Sequence, residues 1–150
     1  MADLITPDLV DLDLTAVDRH QATRSLAERL QAAGRVTDLD GFLADVRARE
    51  AQMPTGIEGG IGIPHARSAH VTEPTLGFGR SAAGIDFGSD DGPADLIFLI
   101  AAPEGGGAEH MNILASLARR LIHASFKEAL RTAPDPEAVV NLVKKEVLGQ

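Results

Sequence analysis

Apolar and acidic residues alternate through Val10-Asp11-Leu12-Asp13-Leu14, which predicts a strand with one face in water. From residue 18 to 33 the period lengthens. Ala22, Leu26 and Leu30 recur every fourth position, so a helix is expected, capped by Asp18 or Thr15 and ended by Gly34. A second helix is expected over residues 39–52, with Asp38 as cap, Leu39, Phe42, Leu43 and Val46 on one face, and Pro54 closing it. A Gly-rich stretch, residues 55–60, leads into a short strand at 61–63 that stops where Pro64 removes a ladder donor. Two more strands are expected at 75–80 and 85–87. The run Leu96-Ile97-Phe98-Leu99-Ile100 is apolar without interruption, as a central strand covered on both faces should be. Helices follow at 109–123 and 126–131. The last helix starts at Asp135 as cap and Pro136 at its first position, with Val139, Val140, Val143 and Val147 on its inner side.

Strands and helices alternate along the whole length, so the expected class is α/β: a mixed central sheet flanked by helices on both faces, one domain over residues 1–150. Composition adds exclusions. Aromatic residues are 3 % of the chain and all are Phe, so the core must be built from Leu, Ile, Val and Ala. The absence of Cys rules out disulfides, thiolate metal sites and a cysteine nucleophile. A formal net charge of -8 with scattered basic residues argues against nucleic acid and against anionic membrane surfaces as partners. No apolar run approaches the roughly 20 residues of a membrane-spanning helix. The first residues lack the pattern of a signal peptide, and a cytoplasmic location with no membrane insertion is expected.

The chemistry concentrates around His65. It follows a strand and a proline beside glycines, which let successive N–H groups converge on an anion. Imidazole is a competent nucleophile near neutral pH. The plainer reading is a histidine that merely ends a strand. His110 shifts the balance. It sits at the start of a helix just past the C-terminal end of the central strand, the rim where α/β sheets bind ligands and where a helix N-terminus favours phosphate. Arg49 and Glu50 end the second helix. Glu50 lies along the apolar stripe and needs partners, with the amides of residues 55–60 close by in sequence, and Arg49 could neutralise a phosphoryl group; an ordinary ion pair at a helix end is the competing reading. His20 and His123 carry no polar cluster, and His70 falls in a predicted loop. No metal motif, P-loop ending or nucleophile elbow is present.

At these residues the chain resembles a known family. The run from Arg49 through Met53-Pro54-Thr55-Gly56-Ile57 and Gly59-Gly60-Ile61-Gly62-Ile63-Pro64-His65-Ala66-Arg67 resembles the active-site signature of the fructose/mannitol class of enzyme IIA domains. These belong to the bacterial phosphoenolpyruvate-dependent sugar phosphotransferase system. A second block, residues 96–103 followed by His110-Met111-Asn112-Ile113-Leu114, resembles the surroundings of that family's second histidine. The likeness spans about residues 4–148 and is closest to fructose-type members. It implies that His65 accepts phosphate from phospho-HPr, the phosphohistidine carrier, and passes it to a cysteine of a IIB domain for fructose uptake, with no bound cofactor. It implies that His110 and Arg49 hold the phosphohistidine. Thr55 and the loop amides are expected to join them around the phosphoryl oxygens. A nitrogen-type IIA module that signals through its phosphorylation state is the alternative.

Overall fold

The computed structural model describes residues 3–105 and 107–149; for residues 107–111 it describes the backbone and not the side chains. Among the described residues the strands are β1 (Val10–Asp11), β2 (Gly56–Ile57), β3 (Ile61–Gly62), β4 (His65–Ser68), β5 (Thr75–Ile85) and β6 (Ala94–Pro103). The helices are α1 (Arg19–Ala32), α2 (Leu39–Gln52), α3 (Gly107–Leu121), α4 (Ala124–Thr132) and α5 (Pro136–Glu146). The expected caps are formed: Asp18, Asp38 and Asp135 each accept a hydrogen bond from the backbone N–H three residues on.

The sheet runs β1-β5-β6-β3-β2, with β4 also paired to β6. β6 is its centre. It pairs antiparallel with β5 on one side. On the other side it pairs parallel first with β3, at Leu96 and Ile97, and then with β4, from Ile100 to Pro103. Ile63 and Pro64 separate these two short partners, and the ladder resumes at His65 opposite Ile100. Alternation along β6 divides the core in two. Leu96, Phe98 and Ile100 face a layer built from α3, α4 and α5, including Leu117, Leu121, Phe126, Leu130 and Val139. Ile97, Leu99 and Ala101 face α1 and α2, against Leu26, Leu30, Phe42 and Val46.

Three sequence expectations change in the folded chain. The strand predicted at residues 10–14 is only two residues long, because the Asp11 carboxylate accepts from the Asp13 N–H at 3.0 Å and turns the chain. The strand predicted at 75–80 runs on to Ile85 as β5, and of the separate strand predicted at 85–87 only Ile85 belongs to it. Its irregularity after Arg80 keeps the pairing with β6, and Gly84, at a φ of 81°, donates its N–H to the Ser81 hydroxyl there. The Gly-rich stretch is not an open loop. It is a hairpin of β2 and β3, with Ile57 opposite Ile61 and with Gly59 and Gly60 at positive φ in its turn.

Candidate active site

His65 opens β4, and its ring is half-buried. The next residue, Ala66, is in the core beneath α1 and α2, so strand alternation turns His65 to the opposite face, the side of α3. Its Nδ1 lies 2.8 Å from the carbonyl oxygen of Ile63. A carbonyl can only accept, so Nδ1 carries the proton in this contact and the lone pair of the neutral ring sits on Nε2. The carbonyl is held in turn: the Pro64 oxygen accepts from the Ile100 N–H at 3.0 Å, and the Ile63 N–H donates to the Thr55 oxygen at 3.2 Å. The imidazole is therefore tied to the central strand on one side and to the hairpin on the other.

The glycines serve close packing. A Cβ on Gly62 would lie 2.7 Å from the Phe87 ring, and one on Gly56 would lie 2.7 Å from the Phe87 carbonyl oxygen. The expected cradle of amides is not formed by this stretch. The Thr55 N–H goes to the Glu50 carboxylate at 2.9 Å, the Gly56 N–H to Phe87 at 2.9 Å, and the Gly59 N–H to Asp91 at 3.0 Å. These three donors each have an acceptor within the protein, because a hairpin spends amides on its own structure.

Thr55 is likewise engaged within the protein. It is buried, and its hydroxyl donates to Glu50 Oε1 at 2.7 Å. With its only hydroxyl proton and its N–H both given to one carboxylate, Thr55 has none to give a phosphoryl oxygen in this arrangement. Glu50 itself is 8 % exposed at the inner edge of α2, and it finds the loop amide its position on the apolar stripe called for. Its third hydrogen bond comes from Arg19 of α1, whose guanidinium lies 3.1 Å from Oε2. Nothing in the sequence pairs Arg19 with a residue 31 positions on. Arg49 is half-buried and donates one N–H to the Met53 oxygen at 3.3 Å, just before the hairpin; a guanidinium has five such donors. His110 falls in the first turn of α3, and its side chain lies outside the described residues.

Two further residues beside the site went unnoticed in the sequence. Ser68, at the end of β4 and 1 % exposed, donates to the Asp45 carboxylate of α2 at 2.6 Å and accepts from the His70 N–H. Asp45 stands one turn after Phe42 on the rim of the apolar stripe, which was the one available hint. His20 and His123 are exposed, and His70 has the Asp38 carboxylate at 3.9 Å from its Nδ1. Among the described residues no group of three or more His, Asp or Glu could hold a metal ion, and no helix is long and apolar enough to cross a membrane. A cleft of about 210 Å³ between α1 and α2 is lined by Arg19, Arg47 and Glu50, and a groove of about 750 Å³ by Ile57, Asp91, Ile122 and Lys127. His65 lines neither.

Known proteins resemble this chain along almost its whole length. Residues 3–146 match the family model described as phosphoenolpyruvate-dependent sugar phosphotransferase system, EIIA 2. A fructose-specific EIIA component from Haloferax volcanii is 40 % identical over 145 residues, covering 95 % of this chain and 94 % of that protein. A fructose-specific EIIABC component from Bacillus subtilis is 32 % identical over 146 residues, which is 97 % of this chain but only 23 % of that longer one. Among solved structures, the nitrogen regulatory protein IIA-Ntr from Neisseria meningitidis superposes with a TM-score of 0.86 at 27 % identity, covering 93 % of this chain and 96 % of its own.

Proposed function

We propose that this chain, which belongs to the type 2 EIIA family of the phosphoenolpyruvate-dependent sugar phosphotransferase system, carries phosphate on Nε2 of His65, taking it from phospho-HPr and giving it to a IIB domain. It is a phosphotransferase component, and the observation that supports His65 as the acceptor is the 2.8 Å contact of Nδ1 with the Ile63 carbonyl. That contact keeps the proton on Nδ1 and the nucleophilic lone pair on Nε2. In the transfer the bond from phosphorus to the donor's imidazole breaks as the bond to Nε2 forms. The protein's part is positioning and charge neutralisation. A half-buried ring at the start of a strand suits a group that must meet another protein's side chain and then meet a second one.

Arg49 is the cation assigned to the phosphoryl oxygens, with donors left after its bond to Met53. His110, in the first turn of α3, is assigned the second contact by the family resemblance. No cofactor is required, because the phosphoryl group arrives on its donor. The names of the Haloferax and Bacillus relatives favour fructose as the sugar served, and the EIIABC name of the latter favours a B component as acceptor. The proposed setting is the cytoplasm. The likeness to the Neisseria IIA-Ntr supports a second reading, a regulatory module whose phosphorylation state is its signal.

The test is incubation with phosphoenolpyruvate, enzyme I and HPr, followed by mapping of acid-labile phosphate. Label is expected on His65 and absent from His65→Ala; a His65→Ala protein labelled as well as the parent would overturn the assignment. Adding IIB proteins should discharge the label in the transport reading and leave it in place in the regulatory one.

A further inference from the structure

A chain of hydrogen bonds runs from α1 to the imidazole. The Arg19 guanidinium donates to Glu50; Glu50 accepts both the N–H and the O–H of Thr55; the Thr55 oxygen accepts from the Ile63 N–H; and the Ile63 oxygen accepts from His65 Nδ1. We propose that Glu50, charge-compensated by Arg19, is a positioning residue for the transfer: by gripping Thr55 through two donors it fixes the Ile63 carbonyl and so sets the tautomer of His65. This rests on His65 being the phosphate carrier, yet its structural half can be tested without any transfer.

The physical case has three parts. A carboxylate that is 8 % exposed must be satisfied, and these three hydrogen bonds satisfy it. The grip is bidentate, since Oε1 takes the hydroxyl and Oε2 the amide, so Thr55 is fixed in orientation as well as place. The second anchor matters because of where the chain is weak. Between β3 and β4 the ladder along β6 is interrupted at Ile63 and Pro64, and proline has no N–H with which to hold itself. The Ile63 N–H therefore finds its acceptor outside β6, on Thr55, and Thr55 is only as fixed as Glu50 makes it. A carbonyl that drifts lets the imidazole redistribute its proton, and a ring protonated on Nε2 cannot attack phosphorus from that atom.

The experiment reads the tautomer directly, by ¹⁵N chemical shifts of the His65 ring at a pH above the imidazole range, and the initial rate of labelling from phospho-HPr. Glu50→Gln keeps the shape but removes the negative charge and replaces one acceptor with an NH₂, so Thr55 keeps at most one of the two bonds it donates to this side chain. Its ring nitrogens are expected to move toward the averaged values of a mobile histidine. Its saturated labelling rate should fall up to about a hundredfold, the cost of a misplaced reacting group, with the donor concentration for half-saturation little changed. Thr55→Val, which keeps the N–H and loses the hydroxyl, should show both effects more weakly, and Thr55→Ser should recover most of what Thr55→Val loses. If Glu50→Gln shows the parent's tautomer signature and rate, the proposal is overturned. Should Glu50→Gln lose its dispersed amide spectrum and prove unfolded, Thr55→Val decides on the same two readouts. If the parent protein takes no label at all, the carrier reading fails, while the ring shifts of the variants still decide whether Glu50 sets the tautomer.

Discussion

The two sides of the sheet are held by different chemistry. Toward α3, α4 and α5 the contact is apolar: Phe78 and Phe98 stand opposite each other across β5 and β6 with ring centroids 4.9 Å apart, and Leu121, Phe126 and Val139 close over them. The polar groups on that side act at its margin. One nitrogen of Arg80 is shared among the carbonyls of Leu130, Arg131 and Ala133 where α4 ends, and Arg131 holds Asp95 and the Gly59 carbonyl. Toward α1 and α2 the apolar core is just as continuous, but buried side-chain hydrogen bonds are set into it. Glu50 grips Thr55, Asp45 grips Ser68, and Arg35 donates to Thr75. Apolar contact is non-directional, so it stabilises a layer without choosing one side-chain orientation, whereas hydrogen bonds fix angles. His65 projects to the first side while its backbone is held by the second. Stability and precision are thus supplied from opposite faces.

That contrast can be broken by substitution, and the largest effect belongs to the apolar side. Phe98→Ala should lower stability by about 3–5 kcal/mol, the usual loss for a fully buried aromatic, read by denaturant unfolding. Its labelling rate per folded molecule should hold. If that rate drops in step with stability, the division between faces is false. Arg80→Ala should cost about 1.5–3 kcal/mol, because three carbonyls at the end of α4 lose a charged donor, with no change in labelling. A loss below what an exposed arginine gives would show that water replaces the guanidinium.

Ser68→Ala reverses the expected ratio. Stability should fall by only about 1–2 kcal/mol, for two part-buried hydrogen bonds, while the labelling rate falls by more than the unfolded fraction explains. Equal losses in both would remove Asp45 and Ser68 from any part in placing His65. The smallest effect is at the hairpin turn. The Ser89 hydroxyl, the Gly59 N–H and Lys127 hold the Asp91 carboxyl below its ordinary range. A carboxyl whose pKa is lower folded than unfolded stabilises fully above the unfolded value and loses that contribution as pH falls through the folded one. The amide shift of Gly59 should therefore titrate with a midpoint below that of a free aspartate, and a midpoint at or above it would separate Asp91 from the turn.

The sequence by itself determined the helices, the central strand and the candidate nucleophile. Periodicity and caps are local properties, so α1, α2 and α5 could be read almost to the residue from Asp18, Asp38 and Asp135, and β6 from its unbroken apolar run. The signature around His65 carried the family. What only the tertiary structure decided is how donors and acceptors are shared out. The Gly-rich stretch looked like a cradle for an anion because glycine amides are free to converge, but freedom is not commitment, and pairing with β3 and contact with Phe87 and Asp91 used those amides elsewhere. Thr55, read from the sequence as a phosphate ligand, gives both its protons to Glu50 in the folded chain. Arg19 and Glu50 are distant in the chain and adjacent only because α1 and α2 pack side by side. A hydrogen bond of that kind leaves no period in a sequence, since it depends on where two elements meet and not on what either one is made of.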